Sequence, residues 1–333
     1  MSHPTVDVTI VGGGPVGLFA SFYAGLRSMT VRIIDSLPEL GGQLTALYPE
    51  KYVYDMPGFP KVLAKDLAKD LIAQGTQFKP DIQLEQTAME LQRTGETYQI
   101  LSNSGQVFPT RTVIISAGAG AFSPTKLGID REDALHGKGL HYGVKDKSIF
   151  EGKRLIIVGG GDSAFDWCMN LEPIAKEITL VHRRDVFKAH EDSIEKVKNS
   201  TVKMRLWSSV AELHGDNALE AVTLHSGHTN EAEKVDIDHV IVNIGFKSSL
   251  GPIRTWGLEI DKMQIKVNER FETNLPGVFA VGDVATYPGK LKLIATGVGE
   301  ATSAVCFAKT SLDPTAKLFP GHSSEMDLQA VTA

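Results

Sequence analysis

Residues 6–17 read VDVTIVGGGPVG. Val6 to Val11 is mostly β-branched and apolar, which predicts a buried strand. Gly12, Gly14 and Gly17 follow in G-x-G-x-x-G spacing, and an apolar-rich helix is expected from about Pro15 to Ser28. In such a turn the first glycine permits the tight bend. The second lets the backbone approach a pyrophosphate, and the third lets the helix pack close to the strand. The helix start adds free N–H groups and the positive end of the helix dipole. Thr30 to Ile34 returns as a strand and ends at Asp35, placed to accept hydrogen bonds from a ribose diol. A glycine-rich turn without a ligand would explain the glycines, but not the acid in register.

The pattern restarts further along the chain. Arg154 to Val158 (RLIIV) is a second strand opening, followed by Gly159, Gly161, Asp162, Ser163 and Ala164 in GGGDSA, then a helix to about Leu171. The next strand, Ile178 to Val181, ends at His182, Arg183 and Arg184. An acid in that slot would bind a free 2′-hydroxyl. Arginines there meet a 2′-phosphate instead, so the second nucleotide is expected to be NADPH rather than NADH. Lys188 and His190 are candidates to extend the basic patch; the alternative is a solvated charged turn.

Around these two openings the chain reads as α/β: two Rossmann-like, three-layer (ββα) dinucleotide-binding domains. Leu63 to Ala73 has helical spacing, Ile82 to Phe108 reads as short antiparallel strands with turns at TGE and NSG, and Val113 to Ser116 as a separate buried strand. Gly277 to Val281 (GVFAV) is a strand leading into Gly282-Asp283, with a helix expected from about Gly297 to Thr310. That strand has no place in the second unit, so the second domain is expected to be nested in the first. The expected division is 1–120 with 246–333 for one domain, including a polar tail from about 312, and 121–245 for the other.

Composition sets limits. The chain has 333 residues, 42% of them apolar and 22% charged, which is ordinary for a globular protein with a core of its own. Apolar runs are of strand length, short of the roughly 20 residues of a membrane span. No signal peptide fits ahead of the first strand. Cys168 and Cys306 form neither a Cys-x-x-Cys pair nor a metal-ligand spacing, which suits a reducing cytoplasm. The net charge of −6 argues against nucleic acid or an anionic membrane as partner.

The two cradles and the Gly282-Asp283 segment in ETNLPGVFAVGDV resemble the two-dinucleotide-binding flavoproteins of the thioredoxin-reductase-like branch, over nearly the whole chain. The stretches GGQLTALYPEKYVYDMPGFP, GLHYGV, GGGDSAFDW, HRRDVFKAHE and SSLGPIRTWGL narrow the resemblance to ferredoxin–NADP⁺ reductases of that type. It implies FAD in the first cradle, with Asp283 hydrogen-bonded to the ribityl chain and the following helix aimed at the flavin pyrimidine end. It implies that Tyr48 stacks on the flavin, that Gln43 contacts its edge, and that His322 in the tail covers its other face. The alternatives are a core tyrosine and a tail residue. Asp55 either helps shape the flavin pocket or serves a turn. A thioredoxin reductase carries a cysteine pair where this chain reads GLHYGVKD, so a thiolate relay is excluded at that place.

The resemblance therefore implies electron movement between NADPH and ferredoxin or flavodoxin through flavin, in a homodimer. A net-negative protein would need a local basic patch to receive an acidic ferredoxin; Lys290 and Lys292 are candidates, against the reading of scattered solvated lysines. Rival readings are an NADPH-dependent flavin or quinone reductase and a nucleotide-sensing flavoprotein without turnover. A disulfide reductase is the weakest.

Overall fold

The computed structural model describes residues 3–118 and 120–325. The chain divides into two compact units: Met1–Phe122 with Ser248–Ala333 (unit 1), and Ser123–Lys247 (unit 2).

Unit 1 begins with β1 (Val6–Val11), α1 (Pro15–Leu26) and β2 (Val31–Ile34), then the one-turn α2 (Gln43–Ala46) and α3 (Ala64–Gly75). Four strands follow: β3 (Asp81–Gln83), β4 (Ala88–Thr94), β5 (Thr97–Ser102) and β6 (Val107–Ile115). In unit 2 the parallel strands are β7 (Leu140–His141), β8 (Arg154–Val158), β9 (Glu177–His182) and β10 (Lys203–Leu206), with α4 (Asp162–Leu171) between β8 and β9. A meander of β11 (Ser208–His214), β12 (Ala221–Ser226) and β13 (Ala232–Asp236) precedes β14 (His239–Val242). Back in unit 1 come β15 (Val278–Ala280) and α5 (Ile294–Leu312).

The unit 1 sheet runs β3-β2-β1-β6-β5-β4, with β15 also on β6. One strand serves two layers. The Val113–Ile115 end of β6 lies parallel to β15 and beside β1, while its Val107–Thr110 end pairs antiparallel with β5. The sequence reads as two strands because Pro109 and Arg111 interrupt the apolar run. It is one strand because each half has its own partner. Alternation then sorts the side chains. Val8, Ile10 and Ile114 face Leu18 and Ala24 of α1, Leu67 of α3 and Ala304 of α5, whereas Val11, Val113 and Ile115 face the meander residues Tyr98, Ile100 and Phe108. Helices, parallel sheet and meander form three layers.

Unit 2 repeats the plan. Its parallel sheet runs β7-β14-β8-β9-β10 beside the antiparallel β11-β12-β13. Phe165, Cys168 and Leu171 of α4 are buried against Leu155, Ile157 and Leu180 of the sheet. A buried apolar truncation such as Leu155→Ala would cost about 2–5 kcal/mol. Because β15 pairs with β6, the late strand returns to unit 1 and closes the nesting.

Candidate functional site: two nucleotide cradles

Each unit carries a strand-to-helix turn at the carboxyl end of its parallel sheet, where open α/β sheets bind ligands. In unit 1, Gly12 has φ +113°, and a Cβ there would lie 2.6 Å from the Ser116 carbonyl oxygen. A Cβ at Gly17 would lie 1.9 Å from the Gly12 oxygen. Packing alone demands both glycines. Gly14 is different: its φ of −76° suits any residue, and the nearest atom to an added Cβ is Gly42 Cα at 3.8 Å. As the N-cap of α1 it leaves the backbone open at a point where a phosphate could approach closely. Pro15 begins α1 without needing an N–H partner, and neither a side-chain cap nor an acidic residue occupies the first turn. The helix start is left free to face an anion.

Asp35, 8% exposed, accepts hydrogen bonds from the Gly13 N–H (2.5 Å) and the Leu37 N–H (2.8 Å). Burial pushes its carboxyl up while these amides pull it down. It thus braces the cradle itself, with oxygen lone pairs left over for a ribose. The Gly41-Gly42 turn closes over the same place: the Gly41 N–H donates to the Gly13 oxygen at 2.9 Å, and Gly42, at φ +60°, would push a Cβ within 2.8 Å of Gly14 Cα. This second glycine pair was not singled out from the sequence, although GGQL was. Gln43 begins α2, and its Nε2 reaches 3.4 Å from where a Gly118 Cβ would stand.

Tyr48 is half-buried against the unit 1 core. Burial pushes its phenol up, reinforced by the charges of Asp283 and Asp55, so these three side chains share one neighbourhood. Burial also pushes the Asp283 carboxyl up, against the pull of Lys290 and Lys292. Strand order separates the two ends of a nucleotide laid across this cradle. Asp35 ends β2 on one side of β1; Asp283 follows β15 on the other, beyond β6.

Three expectations change here. α5 starts at Ile294, one turn before the expected start near Gly297, so Glu300 is an interior residue of the helix. Lys290 is no docking residue: its side chain is 5% exposed and forms an ion pair with Glu300. Lys292 remains exposed. His322 is exposed, with Phe319 as ring neighbour at 5.4 Å, and the tail is fastened by the Arg27 guanidinium, which donates to the carbonyls of Lys317 (2.6 Å) and Leu318 (2.8 Å). Arg27 caps the end of α1 opposite the cradle, a helix length of about 18 Å away.

The unit 2 cradle follows the same logic. Gly159, at φ +155°, would bring a Cβ within 2.4 Å of the Asn243 oxygen, and Gly160 within 2.3 Å of the His182 ring. Gly161, the N-cap of α4, has no atom within 4 Å of an added Cβ and an ordinary φ of −107°, so the turn is open at that point and leaves room for a ligand. Ala164 is fully buried in the slot where the first cradle has Gly17. Asp162 and Ser163 open α4. The Asp162 carboxylate accepts the His190 N–H (2.8 Å), and the Lys188 N–H donates to the Gly160 oxygen (2.7 Å), so the basic loop folds back on the turn. Arg183 and Arg184 are exposed and carry no ion pair among the described residues. The His182 Nε2 lies 3.2 Å from the Val186 oxygen, its ring 5.4 Å from that of Phe187, and burial holds the imidazole below its ordinary value. Its ring thus packs on the loop and on Gly160, besides any contact with a nucleotide.

Two cradles of this kind define a flavoprotein class that handles two dinucleotides. The profile of the pyridine nucleotide-disulphide oxidoreductases matches residues 6–304, and the chain belongs to this family. It is 54% identical over 321 residues to a ferredoxin–NADP reductase 2 of Shouchella clausii, covering 96% of this chain and 97% of that one. It is 52% identical over 322 residues to a ferredoxin–NADP reductase of Halalkalibacterium halodurans, at the same coverage. Among solved structures, a T. acidophilum thioredoxin reductase superposes with a TM-score of 0.77 at 25% identity, covering 93% of this chain and 99% of that one. The family's redox disulfide has no counterpart here: Cys168 and Cys306 lie buried in different units, and burial pushes the Cys168 thiol up to about 12.

Proposed function

We propose that this chain is an FAD-dependent ferredoxin–NADP⁺ reductase, with FAD in the unit 1 cradle and NADP(H) in the unit 2 cradle. The observation that carries the reading is the pair of open N-cap glycines, Gly14 and Gly161, at two matching strand-to-helix turns, in a chain half identical to ferredoxin–NADP reductases. Flavin, when bound, would supply the redox chemistry, linking two-electron hydride transfer from NADPH to a one-electron acceptor.

The chain's part is binding, orientation and charge. Gly12 to Gly17 and the α1 start hold the pyrophosphate of FAD, and Asp35 the adenine-side ribose. Asp283 holds the flavin side, and Tyr48 and Gln43 lie against the ring. Gly159 to Ala164 hold the pyrophosphate of NADPH, with Asp162 and Ser163 at the helix start, and Arg183 and Arg184 grip the 2′-phosphate bidentately. Ferredoxin or flavodoxin is the acceptor, and the chain works in the cytoplasm as a homodimer. The anchoring of the tail at the far end of α1 supports a further element of this reading: His322 of the partner subunit covers the flavin ring.

Steady-state rates separate this from a quinone reductase. Turnover with NADPH should be faster to ferredoxin than to small quinones at equal concentration, and NADH should replace NADPH poorly. Faster quinone turnover would shift the assignment to the rival. No described helix is long and apolar enough to cross a membrane.

A further inference from the structure

We infer that Glu300 and Lys290 form a buried charge pair that positions the Gly282-Asp283 turn and sets the reduction potential of the flavin beside it. The Glu300 carboxylate, 3% exposed, accepts the Gly282 N–H at 2.7 Å through Oε2. Its Oε1 accepts the Tyr287 hydroxyl at 2.6 Å and the Lys290 ammonium. The ammonium also lies 5.6 Å from the centre of the Tyr287 ring. Burial, then Glu300, pushes the Tyr287 phenol up to about 12, so it remains a donor.

The pair sits against the first cradle. A Cβ on Gly297, one turn before Glu300 in α5, would meet Val16 Cγ2 at 2.5 Å and Gly282 Cα at 3.2 Å. Val16 belongs to the first turn of α1. The turn bearing Asp283 is thus pressed against the helix that receives the pyrophosphate. Strand order puts it on the side of β1 away from Asp35, which is the flavin side once the adenosine lies at Asp35.

An ion pair buried this deeply is a poor way to gain stability, because apolar residues of the same volume serve as well. It is an effective way to fix charge. The flavin ring gains negative charge on reduction, and a fixed charge nearby favours one redox state over the other. Glu300 disfavours the reduced state and Lys290 favours it. Neither touches substrate in this account; both are positioning residues that act through the turn and through the field.

The inference rests on the FAD reading, and potentiometric titration of the holoenzyme tests it. Glu300→Gln keeps length and an acceptor for the Gly282 N–H but loses the charge. It should increase the reduced-to-oxidised ratio at fixed potential about tenfold, a positive shift of about 30 mV for two electrons. Lys290→Met should shift it in the opposite direction by a similar factor, and the double variant should return near the wild type. A merely structural pair would lower FAD affinity or Tm in both single variants without opposite shifts. Shifts under about twofold, or of the same sign, overturn the inference. If Glu300→Gln cannot hold FAD, Lys290→Met alone decides, and a positive or absent shift overturns it. Wild-type protein that binds no FAD sinks the FAD reading instead; yellow protein with unmoved potentials sinks only this one.

Discussion

The two cradles share one plan and differ at every position where the plan leaves a choice. The first is enclosed. Gly17 sits where a methyl would strike backbone, Asp35 braces Gly13, and Gly41-Gly42 close against Gly14. The second is open. Ala164 takes the place of Gly17, Gly161 has nothing within 4 Å of an added Cβ, and exposed Arg183 and Arg184 replace the acid. An enclosed cradle suits a resident cofactor, and an open one with exposed cations suits a nucleotide that must leave each cycle. On the proposed reading the same turn geometry would serve retention in one unit and exchange in the other, and the difference lies in what packs around it.

The sharpest way to break this contrast is to swap the third position. Gly17→Ala forces a methyl into a backbone oxygen 1.9 Å away and should yield protein that purifies without FAD or fails to fold, read by absorbance and circular dichroism. Ala164→Gly should keep NADPH binding and lose only about 1 kcal/mol of stability from the helix. Next in size is the basic slot. Arg183→Ala with Arg184→Ala removes charge-assisted bonds of about 1.5–3 kcal/mol, so KM for NADPH should rise roughly 10- to 100-fold while KM for NADH barely moves. Equal loss with both nucleotides would deny the arginines their phosphate.

A smaller effect should separate the units by pH. His141 Nε2 lies 3.0 Å from His239 Nδ1, and burial, then the His239 charge, lowers the His141 imidazole from 6.5 to about 4. A depressed folded value means that stability is present above pH 6.5 and is lost as pH falls toward 4. Hydrogen exchange should show unit 2 loosening across that window, and His141→Phe should weaken the dependence. The smallest effect is expected at the cysteines. With both thiols buried, Cys168→Ala with Cys306→Ala should leave NADPH-to-ferredoxin turnover within about twofold of the wild type. A large loss would restore a thiol relay to the mechanism.

Both cradles were legible in the sequence because their constraints are local: a strand, glycines at fixed spacing, a helix and a residue ending the next strand. The nesting was legible because GVFAVGD stands apart from the second unit, and it does pair with β6. What could not be read depends on distant partners. Pro109 hid the continuity of β6, whose halves are defined by β15 and β5. Lys290 reads as a surface lysine until α5 brings Glu300 beneath it. His322 had a sequence position but no place, because its tail is held by Arg27 near the other end of the chain. His182 reads as one of three bases; only the fold of residues 183–190 over Gly160 turns its ring inward.

Anaerobic stopped-flow tests the division of labour between the cradles most directly. Purified yellow protein mixed with NADPH should bleach, and oxidised ferredoxin added next should restore the colour. In Arg183→Ala with Arg184→Ala the bleaching should slow at low NADPH, while return of colour to ferredoxin keeps its rate. A yellow protein that NADPH leaves unbleached, or whose colour ferredoxin cannot restore, would contradict the account.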